Sequence, residues 1–200
     1  MPSISKVKIS NMGLSHIGAR STIESMDEDS SEANSCNLWY DWARVQALEA
    51  HNWDFARKRV GLGLIETDPT VNWLYRYGYP SDCVSTRHIE NPAGWTADAI
   101  PFEVELNSAG TLRTILTDEE DAEMVYTMDL QNTALFTPLF VDAISWRLAA
   151  AIAFSLTGDG RIEEKALNNF YLTLSSAAAR NAGGTVDRAP RESEFIRGRE

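Results

Sequence analysis

The stretch from Thr137 to Leu156 constrains the fold more than any other part of the sequence. Thr137-Pro138 has the form of a helix start, a capping hydroxyl followed by Pro at the first helical position. Beyond it Val141, Ile144, Leu148 and Ile152 repeat at helical spacing, and Trp146, Ala149 and Ala153 line a second face. A helix that is apolar nearly all round must be covered on several sides, which predicts a central position among other helices. Asp142 and Arg147 interrupt the apolar run Leu139–Leu156, so it reads as a buried amphipathic helix and not as a membrane span.

The covering helices are to be found on either side. At the front, Ile4, Val7, Leu14 and Ile17 roughly follow helical spacing, and Gly18 stops the pattern. A polar acidic stretch, Glu24 to Glu32, follows, where Asp29 and Glu32 have capping-box spacing with Asp in place of Ser or Thr. A second helix is predicted from about Ser30 to His51, with Leu38, Trp42, Val45 and Leu48 as its apolar stripe. At the back, Thr157-Gly158-Asp159-Gly160 breaks the central helix. A last helix is predicted from about Arg161 to Arg180, with Leu167, Phe170 and Leu174 on its buried side and Asn181-Ala182-Gly183-Gly184 as its end.

Between these helices the period changes to two. Val60, Leu62 and Leu64 alternate with Gly61 and Gly63, and read as one strand. Asn72–Tyr79 is aromatic and stops at Pro80. Phe102, Val104 and Leu106 alternate with Glu103 and Glu105 as a half-buried strand, Asn107–Gly110 turns, and Leu112–Leu116 returns as its hairpin partner. Glu123–Met128 reads as a further strand. The predicted fold class is therefore α+β, a helical bundle with an inserted small antiparallel β-sheet domain and an extended C-terminal tail. Residues 1–54 with 131–182 form the bundle, 55–130 the inserted β-rich domain, and 183–200 the tail. Thr185–Glu200 is mostly polar, and alone it is not expected to fold.

Charge and motif content narrow the chemistry. A net charge of −11 argues against a protein that grips duplex DNA, which needs Lys and Arg to neutralise phosphates. The two cysteines, Cys36 and Cys83, form no CxxC and predict reduced, buried thiols. The N-terminus has no apolar core of signal-peptide length. No HExxH, Walker loop, GxGxxG or GxSxG occurs, and no cofactor is implied. His16, His51 and His88 are scattered, and a packing or capping role suits them better than metal ligation. Cys83 and His88 lie close in sequence, but a cysteine nucleophile needs an oriented base in space. The run Asp118-Glu119-Glu120-Asp121 with Glu123 offers paired carboxylates of the kind that cleave glycosidic bonds, yet a solvated acidic turn explains it more simply. Arg57, Lys58 and Arg59 read as charges that keep a strand edge from pairing with itself.

Four pieces, in order along the chain, resemble the head-to-tail adaptors of short-tailed bacteriophages, the family of tail tubular protein A. The first is Asn11-Met12-Gly13-Leu14-Ser15-His16-Ile17-Gly18-Ala19 with Ile23 downstream. The second is Leu48-Glu49-Ala50-His51-Asn52-Trp53-Asp54-Phe55-Ala56, a helix end running into a Trp-x-Phe turn, with Asn52 where many relatives carry Pro. The third is Tyr77-Gly78-Tyr79-Pro80-Ser81-Asp82-Cys83, an aromatic stretch closed by Pro-x-Asp. The fourth is Thr137-Pro138-Leu139-Phe140 running into the Ala-rich helix Leu148–Leu156.

The resemblance implies a non-enzymatic virion protein at the head–tail junction, assembled in the host cytoplasm. It implies a homo-oligomeric ring, commonly of about twelve copies, built from heterologous contacts repeated by rotation. Its partners would be the portal protein and a tail nozzle resembling tail tubular protein B, with genomic DNA passing through the channel unread and no membrane involved. Within this frame Phe195, Ile196, Arg197 and Arg199 are the expected portal contacts. Trp73, Tyr75, Tyr77 and Tyr79 are candidate subunit contacts, with core packing as the alternative. Asp118, Glu119 and Glu120 are candidates for an acidic channel lining that repels phosphate, and Glu24–Glu32 is a second one. A cell-wall-cleaving virion enzyme and a connector or stopper further down the tail are the competing functions.

Overall fold

A computed structural model describes residues 4–94 and 98–184 of the chain. It is a mixed α+β protein with four helices and two antiparallel sheets. In order these are α1 (Lys6–His16), α2 (Ser31–Glu49), β1 (Arg57–Gly61), β2 (Leu64–Thr70), β3 (Trp73–Gly78), β4 (Cys83–Ile89), β5 (Glu103–Leu106), β6 (Arg113–Thr117), β7 (Glu123–Met128), α3 (Pro138–Thr157) and α4 (Gly160–Gly184). The expected tail, Thr185–Glu200, lies outside the described residues.

The all-round apolar helix is α3, and it packs against α1, α2 and α4. By length and composition it could cross a membrane, but 56% of its apolar window is buried inside the fold, as in a core helix. Pro138 stands at its start and Gly158, in the left-handed region at φ 69°, ends it. Gly13 lets α1 approach α3 closely, since a Cβ there would stand 3.3 Å from the Ser145 carbonyl oxygen. α4 runs past Arg180 through Gly183 and Gly184, so those glycines do not end it where the sequence suggested.

The buried stripe of α2 differs from the expected one. Leu38 is 72% exposed and Trp42 40% exposed, while Ala33, Cys36, Tyr40, Ala43, Ala47 and Leu48 are buried. α2 packs on α3 through these residues, while Leu38 and Trp42 turn outward. The N-cap is Ser30, whose hydroxyl accepts from the Ala33 amide, one position beyond the Asp29 that the spacing pointed to.

The β region is two sheets, in strand orders β1-β7-β4 and β2-β3-β6-β5. What reads in sequence as one strand from Val60 to Leu64 is two strands in different sheets, and the chain switches at Leu62-Gly63. A second core fills the space between the sheets, from Tyr77 and Ile115 of one and Ile89, Met124 and Tyr126 of the other. The opposite face of the β1-β7-β4 sheet turns toward the helices, where Val84 and Met128 join the helical core. The strand Glu103–Leu106 is less buried than expected, since Val104 and Leu106 remain exposed. It is an edge strand, covered on one side only.

Candidate interaction surfaces

The residues that carried the family resemblance make structural contacts, some of them within a single piece. Asn11 on α1 holds the backbone of Ile23 on both sides: its side-chain amide donates to the Ile23 carbonyl at 2.9 Å, and its side-chain oxygen accepts from the Ile23 amide at 2.8 Å. The Trp53-x-Phe55 turn and Phe140 form one aromatic hub, with Trp53 and Phe55 ring centroids 5.0 and 4.9 Å from that of Phe140. Phe136 adds a fourth ring at 4.8 Å, and the Trp53 indole donates to the Ala47 carbonyl. Asp82 accepts from Lys58 at 2.6 Å and from the Tyr126 hydroxyl at 2.7 Å, tying the edge strand β1 and the central strand β7 to the Pro80–Asp82 corner. The Lys58 hydrogen bond holds the Asp82 carboxyl below its usual range.

Two arginines join distant parts of the chain, Arg44 buried and Arg87 half-buried. Arg44 of α2 is 2% exposed, pairs with Asp41 and Asp129, and donates to the Leu130 carbonyl at 3.0 Å. Arg87 of β4 donates to the Trp53 carbonyl at 2.7 Å and to the Thr127 hydroxyl at 3.1 Å. Neither residue carries a sequence motif. Each is found only once the long-range contact exists.

The aromatic stretch of β3 is divided between core and surface. Tyr77 is buried between the sheets at 2% exposure, and its hydroxyl donates to the Glu119 carbonyl. Trp73, Tyr75 and Tyr79 are half-buried. Trp73 donates its indole N–H to Glu103, and Tyr79 accepts from the Cys83 thiol with the Arg113 guanidinium 5.1 Å over its ring. Burial pushes the Cys83 thiol up, away from thiolate character. Cys36 is pushed up to about 11 for the same reason.

The acidic turn between β6 and β7 has a structural share. Asp118 accepts from the Leu74 amide, so it staples β3 to the turn, whereas Glu120 is exposed. Glu119 is half-buried. In the Glu24–Glu32 stretch, Glu28 accepts from the Glu24 amide, which holds its carboxyl below the usual range. Phe195, Ile196, Arg197 and Arg199 lie outside the described residues. Among the described residues no group of three His, Cys, Asp or Glu is placed to hold a metal ion.

Exposed apolar side chains occur on both the helices and the sheet region. Leu38 and Trp42 stand one turn apart on α2, Arg147 of α3 lies 4.1 Å over the Trp42 ring, and Tyr171 of α4 is near enough to act on the Arg147 charge. Phe154 and Leu172 are exposed on the same two helices, α3 and α4. On the β2-β3-β6-β5 sheet, Leu64 and Leu106 are exposed on the edge strands β2 and β5, on the side of Tyr77 and Ile115, whereas Leu74 is exposed on the opposite side and Val71 of the β2–β3 turn is wholly so.

Two concavities lie on the surface among the described residues. A groove of about 220 Å³ is lined by Trp53, Asp54, Phe55, Pro138, Leu139 and, near the end of α4, Ala177 and Arg180. A broader depression of about 370 Å³ carries Arg57, His88, Glu90 and Asp98, and Glu90 there pairs with Arg59 and contacts the His88 ring. No protein-family model matches the sequence, and no curated protein is found similar to it.

Proposed function

We propose that the chain is a structural ring subunit, the head-to-tail adaptor that joins a phage portal to the tail nozzle around the DNA channel. The observation that carries this reading is that large apolar side chains are exposed on two unlike parts of the subunit, the helices α2, α3 and α4 and the β2-β3-β6-β5 sheet. A closed ring needs two unlike surfaces on each subunit, so that one copy's first surface meets its neighbour's second.

In this reading residues 1–54 and 131–182 are a helical bundle and 55–130 an inserted β domain. The pairing of β1 with β7 supports the insertion, because it brings the two ends of the segment together. The residues behind the family resemblance act as clamps, which suits a protein that works by interface geometry. An excess of carboxylates, with Glu120 exposed, gives a channel wall from which DNA phosphates are repelled. Phe195, Ile196, Arg197 and Arg199 are the proposed portal contacts.

The test is the native mass of the full chain, alone and mixed with the portal protein of the same genome. A chain that assembles on the portal into a ring of many copies is the expected result. A chain that stays unbound to the portal under all conditions sinks the proposal.

A further inference from the structure

We propose that the groove beside the Trp53–Phe55 turn is the docking site of the chain's own C-terminal segment, with Phe195 and Ile196 as its anchors before assembly. The proposal rests on the adaptor reading only in that the same two side chains would later serve the portal.

The groove is apolar at its base, through Trp53, Phe55 and Leu139, and it has a charge at two points of its lining, Arg180 and Asp54. At about 220 Å³ it falls below the ~300–1,000 Å³ of drug-sized ligand sites, and suits one or two large side chains. The C-terminal segment offers a matching order of chemistry. Glu194 precedes Phe195 and Ile196, and Arg197 follows them. An apolar pair with an acid before it and a base after it meets an apolar groove carrying one base and one acid. Glu194 pairs with Arg180 and Arg197 with Asp54, while the apolar pair covers the aromatic base. Each exposed ion pair adds little by itself, and the direction in which the segment lies is what the charges decide.

The length of chain also fits. Arg180 lines the groove one turn before Gly184, the last described residue of α4. From Gly184 to Phe195 the chain can span at most ~36–40 Å, at ~3.3–3.6 Å per residue, ample to fold back by one or two helical turns. Phe195, Ile196 and Val186 are the sizeable apolar residues of Thr185–Glu200, so docking removes most of that segment's apolar surface from water. A cap made in this way keeps the portal-binding side chains covered on the free subunit, and the portal then has to compete for them.

Hydrogen exchange on the full-length chain, without portal, tests this. Amides at 195–197 should exchange about tenfold or more slower than an unstructured peptide of the same sequence. Phe195→Asp should restore fast exchange there and also loosen the amides at 54–56 and 139–141. Arg180→Glu and Glu194→Arg should each weaken the protection, and the double variant should recover it. These changes lie in the C-terminal segment or at an exposed position, so the fold survives them. Exchange at the intrinsic rate in the parent chain would overturn the proposal. So would protection that disappears on dilution, since the segment would then be occupying a neighbour's groove. Portal affinity is read separately, so failure here leaves the adaptor reading standing.

Discussion

The helical and the β regions cover their apolar residues to different extents. In the helices small side chains, large aliphatic ones such as Ile144, Leu148 and Ile152, and one aromatic hub are buried together. Ala33, Ala43 and Ala47 of α2 and Ala149, Ala150 and Ala153 of α3 are buried, and Phe140 is fully covered by Trp53, Phe55 and Phe136. In the β2-β3-β6-β5 sheet the inward residues Tyr77 and Ile115 are buried, yet Leu64, Ile65, Leu74 and Leu106 stay in contact with water. The first region has a large core of its own and still leaves Leu38, Trp42, Phe154 and Leu172 in water. The second covers less of its apolar surface, and the side chains it leaves exposed gain free energy only when another surface covers them.

Replacing Phe140 with Ala should break the first half of this contrast most severely. Its ring meets three others and is wholly buried, so the loss should be about 3–5 kcal/mol, read from the denaturation midpoint. A change under ~1 kcal/mol would show that the hub is not where the helical region draws its stability.

A smaller effect should appear with pH. His16 stacks on Trp146 at 3.5 Å and hydrogen-bonds the Ser145 hydroxyl at 3.0 Å. Burial lowers its pKa, against a weaker opposing pull from Asp142. The folded pKa then lies below that of the unfolded chain, so the unfolded state binds more protons in slightly acid solution. Stability is full above the ordinary histidine value of ~6.5 and falls as pH drops through the folded value. His51 shifts the same way, by burial first and by Arg87 second. The variant His16→Gln should therefore flatten, without abolishing, the loss of stability between pH 7.5 and pH 5.5, and an unchanged slope would exclude His16 as a source.

The smallest change in stability should come from the sheet face. Leu64→Ser with Leu106→Ser should alter folding stability by only ~0.5 kcal/mol, because both side chains are already solvated. The same double variant should lose most of its ring formation on the portal, as seen by native mass. Intact assembly would mean that this face is not a subunit contact.

Sequence periodicity located the helices well and identified the buried stripe of α3, where Val141, Ile144, Leu148 and Ile152 are all buried, but misjudged the buried face of α2. Large apolar residues at helical spacing pointed to Leu38 and Trp42, but in α2 the alanines and Cys36 are buried, and small residues give little periodic signal. The helix starts at Pro138 and Ser30 were legible to within a residue, because capping is local chemistry. The change of sheet at Leu62-Gly63 was hidden, since alternation looks the same on both sides of a corner. β4 was also missed: register shifts between Cys83 and Ser85 and between Thr86 and His88 spoil its alternation. Among the candidate contacts, the aromatic spacing singled out Tyr77 together with its neighbours, and only the second sheet packing over it shows that it belongs to a core. Arg44 and Arg87 gave no signal, because their partners lie far along the chain.

The pairing of β1 with β7 sets a waiting time during synthesis. Arg57 of β1 lies opposite Thr127 of β7, about seventy residues later in the chain. At the ribosome's ~5–20 residues per second, β1 is finished roughly 4–14 seconds before its partner strand emerges. For that interval it is an unpaired strand among other nascent chains. Arg57, Lys58 and Arg59, exposed in succession along it, make two such strands repel each other until β7 arrives.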